Sequence, residues 1–515
     1  MALSEPEKLP NIVDMSIMES KDGTVVEEAY ANHDEAELAA LGKKQQLRVG
    51  EDLCLLTVFI YGLTDGGPAG LIYGYLFCWL GYFTVVASMA ELVIPTAGGQ
   101  YHWTYLLAPE SSRKFISYIT GWQSVVAWQA AVASSSYLSG TILQGLLVLN
   151  YPNYGFQRWH GTLLLYSFVL TAILFNTFLA RHLPKIESAI LVLHIAGFFV
   201  ILIPLIHLSP HGSARDVFAQ FLSLGGYENV GLAFFIGLVS TVFSFVGADG
   251  AVHMCEEIIN ATTVVPRAMM FSIAVNGILG FAITVAICFC LGDIETALES
   301  PTGFPFLEMF SRATNNLGSA TAMAVLIELL IVSCHISIMA AASRMMWAFA
   351  RDFGLPGSRY LNRVEPRSKL PLYSLALTVI ITLLLALINI GSTAAFNAVI
   401  SLVVGGFLGS YLLPISLILY RRLQPHPTSP LKFGPWSLGR AGVPINIFAL
   451  IWTVIAMFFS FWPTAVPVDA TSMNFSCLLW GGTTLFGVVF YVLYGNRQWK
   501  GPVIETSVVE HFRGV

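Results

Sequence analysis

Residues 234–257 read FFIGLVSTVFSFVGADGAVHMCEE, an apolar run interrupted at Phe245-Val-Gly-Ala-Asp-Gly250 by two glycines and an acid. A helix that crosses lipid satisfies its own backbone, so a glycine-rich interruption at membrane depth persists only where it lines protein or a water-filled cavity. Half-helix ends and released carbonyls at such breaks hold ammonium or carboxylate groups near the midplane of many secondary carriers. Gly247 and Gly250 also suit close helix packing, a common use of small residues in membranes. Asp249 tips the balance toward a working site, because an intramembrane acid is costly and marks a functional pathway.

The rest of the chain agrees with a lipid setting. Of its 515 residues 55% are hydrophobic and 11% charged, against about 25% charged in soluble proteins, and the mean hydropathy is +0.69. An ordinary water-soluble enzyme is excluded, and the class is an all-α polytopic membrane protein. The net charge of -5 leaves no concentrated basic surface, so a nucleic-acid partner is not expected. Cys78, Cys288, Cys290 and Cys334 lie inside apolar segments, and no Cys/His cluster has metal-ligand spacing, so neither metal nor cofactor is expected. HExxH and GxSxG are missing too, which argues against an intramembrane enzyme.

Apolar segments fall near 68–90, 115–144, 161–180, 186–208, 231–255, 267–292, 319–347, 373–390, 394–420, 443–462 and 475–494. A twelfth, Val49 to Leu63, holds fifteen residues and Glu51 and Asp52. It reaches about 22 Å at 1.5 Å per residue, short of a ~30 Å hydrocarbon core. Residues 1–46, with ten acids against four bases and no signal-peptide core, are read as a disordered, uncleaved tail. The transmembrane domain is placed at 47–495 and a C-terminal tail at 496–515. If twelve segments alternate from a cytoplasmic N-terminus, 23 Lys and Arg fall inside and 3 outside, the bias expected of cytoplasmic loops. Both termini are then cytoplasmic, and the short first segment must cross. Asn474 of Asn-Phe-Ser falls in an external loop close to the bilayer and is a candidate glycosylation sequon.

Four stretches carry a resemblance: Phe243-Ser-Phe-Val-Gly-Ala-Asp249; Glu91-Leu with Pro95-Thr-Ala-Gly-Gly-Gln-Tyr101; Glu256-Glu257 with Val265-Pro266-Arg267; and Ala342-Ser-Arg344 with Ala348-Phe-Ala-Arg351-Asp-Phe-Gly-Leu-Pro356. Together they resemble the amino acid-polyamine-organocation superfamily, and within it the fungal amino acid/choline permease subfamily, which includes GABA and choline carriers. The similarity runs from Arg48 to Trp499. It implies a five-plus-five inverted-repeat core with two appended helices. It also implies a substrate site at Phe243, Ser244, Phe245, Gly247 and Ala248, with Phe243 or Phe245 as an aromatic lid. Rings attract an ammonium by about 0.5 to 2 kcal/mol.

On the same resemblance Gln123, Ser333 and Cys334 flank the site, Asp249 couples occupancy to helix movement or to a proton, and Glu256, Glu257 and Arg344 contribute to a cytoplasmic gate. Gln129, His194, Asn276 and His335 are weaker candidates. Glu328 either faces the cavity or is buried and protonated. One departure stands out. The first helix, Arg48 to Leu63, retains only the outer half of the family's longer one, so the inner half and its unwound stretch are missing. The implied activity is secondary active transport of a small amino compound, an amino acid, GABA or a choline-like amine, with proton symport and alternating access. A non-transporting sensor or an inactive carrier fold is the alternative raised by the short first helix. The plasma membrane is the expected location, with the vacuolar membrane as second choice.

Overall fold

The computed structural model describes residues 51–503 apart from Pro95, Ile259, 392–393, 426–432 and 470–471. The expected acidic tail at 1–46 therefore lies outside the described residues. The described chain is helical, and its one β-type pairing is an isolated bridge between Asp65 and Ser223. In membrane order the helices are α1 (Glu51–Thr64), α2 (Gly67–Ala90), α3 (Gln100–Leu107, a short connecting helix), α4 (Arg113–Asn150), α5 (Arg158–Thr177), α6 (Leu183–Leu208), α7 (Val230–Phe245), α8 (Ala261–Cys290), α9 (Leu317–Arg351), α10 (Leu372–Ala386), α11 (Ala394–Leu423), α12 (Gly442–Phe459) and α13 (Ser476–Phe490). Eleven described helical segments are long and apolar enough to cross a membrane, and Leu55–Thr64 is a shorter apolar helix. Each matches a segment read from hydropathy.

Burial separates core from rim. The spans Gly67–Ala90, Arg113–Asn150, Val230–Glu256 and Ala398–Leu423 are 61%, 67%, 61% and 72% buried within the protein, whereas the last, Ser476–Gln498, is 17% buried. A span so exposed must meet lipid, as an appended helix would. The fold is a polytopic helical one with an inverted-repeat core, in which α1 and α7 head the two halves. The two run antiparallel in close contact, with Gly62 near the end of α1 facing Gly237 midway along α7. A Cβ on Gly237 would lie 1.8 Å from the Asp65 carbonyl oxygen, so only glycine admits this approach. Over its 14 described residues α1 rises about 21 Å.

Candidate functional site

The helix α7 stops where the sequence breaks. Val246 is extended at φ -67° and ψ 147°, Gly247 takes a left-handed φ of 104°, and a 3-10 helix follows over Ala248–Glu257. Phe243 and Ser244 would normally receive the amides of Gly247 and Ala248. Those amides instead donate to the Tyr82 hydroxyl of α2, at 3.1 and 3.3 Å. The break is thus a positioned structure, stabilised by one phenol. Phe245 is buried against Tyr75 and Tyr82, with ring centroids 5.0 and 6.2 Å apart.

Beside the break lies a cavity of about 50 Å³, lined in part by Phe243, Ser244, Ser135, Cys334 and Phe407. It has room for a few waters and is smaller than an amino acid or choline, so this conformation is closed around its centre. Of the two expected lid residues Phe243 lines the cavity, and Phe245 packs away from it. Gln123 is buried elsewhere, its Oε1 resting where Gly409 lacks a side chain. The Ser333 hydroxyl donates to Leu329 O on the exposed side of α9. The structure thus brings Phe243, Ser244 and Cys334 together and leaves Gln123 and Ser333 apart from them.

Asp249 is fully buried and sits among three partners. Gln100 Nε2 donates to Oδ2 at 2.6 Å, Tyr411 donates to Oδ1 at 2.6 Å, and His253 Nε2 meets Oδ2 at 3.1 Å. His253 Nδ1 lies 2.8 Å from the carbonyl of Ala97. A carbonyl only accepts, so Nδ1 carries a proton. The contact between Nε2 and Asp249 is then a hydrogen bond only when one further proton lies between them. The pair holds it either as imidazolium with carboxylate or as imidazole with carboxylic acid. Loss of that proton sets two lone pairs against each other and strains the His253 ring that bridges the 3-10 helix to the Ala97 carbonyl.

Below Asp249 the structure closes with charge. We call this side the basic face, since Arg113, Lys114, Arg351 and Arg422 lie there. Arg351 donates to both oxygens of Glu256, at 3.1 and 3.2 Å, and Glu256 Oε1 also accepts the Ala97 amide at 3.0 Å. Asp352 accepts from the Tyr101 hydroxyl at 2.7 Å, His102 Nε2 at 3.2 Å and the Val503 amide at 3.2 Å. Burial pushes the His102 imidazole below its ordinary value, opposed by Asp352. Arg422 pairs with Glu91 at 2.6 Å. Trp499 is buried among Tyr101, Tyr118 and Phe349 and donates to Lys114 O, so the stretch after 496 is packed against this face as far as Val503.

Arg344 is buried two turns deeper on α9 and donates to Ala340 O; the Glu257 side chain lies outside the described residues. Glu328 is buried, and neither of its oxygens has a hydrogen-bond partner among the described residues. Gln129 donates to Thr378, Asn276 to Ser272, and His335 Nδ1 contacts Ser135. His194 is buried. Asn474 is buried as well, and its Nδ2, the atom a glycan would need, donates to Ser401, Ser460 O and Trp462 O. The sequon is therefore closed to a transferase in the folded protein.

Sequence reasoning missed Tyr82, Tyr411 and the pairing of His253. A tyrosine in an apolar helix carries no mark of the face it occupies. The four-residue step from Asp249 to His253 was a usable signal, because residues so spaced meet on a helical surface.

A polytopic helical protein with a broken helix beside a closed central cavity has the architecture of a membrane transporter. The chain belongs to the amino acid permease family, whose model, described as "Amino acid permease", matches residues 52–483. A Macrophomina phaseolina protein named as an amino acid/polyamine transporter is 33% identical over 422 residues, covering 81% of this chain and 93% of the relative. The choline transporter of Saccharomyces cerevisiae is 30% identical over 447 residues, covering 86% and 78%. Amino-acid permease 2 of Neurospora crassa is 27% identical over 467 residues, covering 88% and 83%. The resemblance read from the four motifs is thereby shown. The chain is a multi-pass membrane transporter of amino compounds and not an enzyme.

Proposed function

We propose that the chain is a proton-coupled secondary carrier of a small amine or amino acid, working by alternating access, with its basic face toward the cytoplasm and the plasma membrane as its location. The observation that carries this reading is the join between the break and the Asp249–His253 pair. The same ten-residue 3-10 helix begins beside the central cavity and bears both members of the pair. A 3-10 helix has poorer hydrogen-bond geometry than an α-helix and yields more readily. Release of the shared proton loosens its hold on the Ala97 loop, and through that loop the contact to Glu256 and Arg351. Substrate at Phe243 and Ser244 and a proton at Asp249 thus bias one moving element at the same end, which is what coupling requires.

The cytoplasmic placement of the basic face follows from retention of Lys and Arg on that side. The relatives named for transport favour a carrier over a sensor, and α1 packs on α7 despite its length.

Uptake of radiolabelled choline, GABA and an amino acid mixture by transporter-deficient yeast expressing this chain tests the reading, at acidic and neutral external pH and with a protonophore. One compound should accumulate against its gradient, and the protonophore should abolish the accumulation. No uptake of any of them overturns the carrier reading. Uptake indifferent to the protonophore overturns the coupling alone.

A further inference from the structure

A second cavity, of about 260 Å³, opens at the end of the molecule opposite the basic face, between the ends of α1 and α12 and the start of α7 and α11. Its charged lining residue is Asp65, in the two-residue turn between α1 and α2. Asp65 is 4% exposed, and its Oδ1 has no hydrogen-bond partner among the described residues. Burial pushes the carboxyl up to about 7, against the pull of a backbone hydrogen bond from Gly225. A carboxylate buried this deeply is costly unless a ligand supplies the opposite charge.

The walls indicate which ligand. Tyr61, Phe459 and Trp462 line the cavity, and aromatic rings attract organic ammonium ions. Calcium or magnesium favours several charged oxygens, and Asp65 is the one carboxylate among the described lining residues, the others being hydroxyls, an amide, apolar side chains and rings. Position links this cavity to the central one. Val239 of α7 and Ile400 of α11 line the outer cavity, and Phe243 and Val403, one turn further along the same helices, line the inner one.

We infer that this outer cavity is a binding site for a small organic ammonium ion, with the Asp65 carboxylate as its counter-charge and Tyr61, Phe459 and Trp462 as its walls. It deepens the carrier reading, and rests on it, by naming the substrate class: a free carboxylate on the ligand would be repelled by Asp65, so cationic amines of the choline type are taken over zwitterions. The amine is held here before it descends one turn to the break.

The test is thermal unfolding of the purified full chain in detergent, with tetramethylammonium chloride compared with sodium chloride at equal ionic strength. Tetramethylammonium should raise the unfolding midpoint by roughly 2 °C or more. Asp65→Asn should remove that shift, and Glu110→Gln, at an exposed acid away from the cavity, should keep it. A shift that survives Asp65→Asn, or no shift in the unmodified chain, overturns the site. Trp462→Leu, which removes a half-buried wall, carries the same expectation should Asp65→Asn fail to accumulate. The carrier reading itself fails only on absence of uptake in cells, a readout this measurement does not consult.

Discussion

Toward the basic face, the segment after the break runs into Glu256, clasped by Arg351 and by the Ala97 amide, with Asp352 receiving three further donors alongside. At the far end of α7 the neighbouring acid, Asp65, has an oxygen with no hydrogen-bond partner among the described residues and lines a cavity. Both ends use carboxylates near a helix terminus, yet one set is saturated and the other waits for a cation. The difference teaches how this conformation is biased. The basic side is shut by many modest polar contacts, while the opposite side is held ready to receive a ligand. A half-exposed ion pair contributes only about 0.2 to 1 kcal/mol, so the closed side depends on several contacts acting through one short 3-10 helix.

The largest expected effect is at the pivot between the two ends. Asp249→Asn replaces a carboxylate that accepts on both oxygens with an amide whose nitrogen faces a donor, either Gln100 or Tyr411. Leaving buried donors unpaired costs about 1 to 3 kcal/mol each, so uptake should fall by roughly a hundredfold with surface expression kept. Wild-type uptake in this variant would detach Asp249 from coupling.

Next comes Tyr82→Phe, which strips the hydroxyl from the Gly247 and Ala248 amides. Roughly a tenfold loss of initial uptake rate is expected from the same penalty on one or two donors. An unaffected rate would mean that the break holds itself.

A smaller change is expected from Arg351→Gln. It weakens the closed side by about 1 kcal/mol, a roughly fivefold shift in the balance of closed and open forms. Uptake should become less dependent on external pH, as measured by initial rates across a pH series; an unchanged profile would remove the Glu256–Arg351 pair from gating. The smallest effect is none at all. Because Asn474 Nδ2 is consumed inside the fold, treatment with an endoglycosidase should leave the electrophoretic mobility of the expressed chain unaltered.

The membrane segments were legible in the sequence because length and apolarity alone define them, and the break was legible because Gly247, Asp249 and Gly250 contradict the apolar run around them. The partners of the break were not. Tyr82 and Tyr411 come from distant helices, and their contacts follow from three-dimensional packing that no local pattern records. The choice of Arg351 for Glu256 is also a matter of depth. Arg344 stands seven residues earlier on nearly the same helical face, but about 10 Å deeper, out of register with the gate. Asp65 escaped notice because a lone acid in a turn reads as solvated until its burial is known.

The central claim is that the polar contacts on the basic face shut the cavity beside the break. Cys334 lines that cavity and carries a buried thiol, which makes it a native reporter. The most direct measurement is the rate at which a small methanethiosulfonate reagent modifies Cys334 from the basic side of inside-out vesicles, in a chain whose exposed Cys477 is replaced by Ser. The account predicts slow modification in the otherwise native chain and an increase of roughly fivefold in Arg351→Gln, reversed when substrate fills the cavity. Equal rates in the two chains would contradict it.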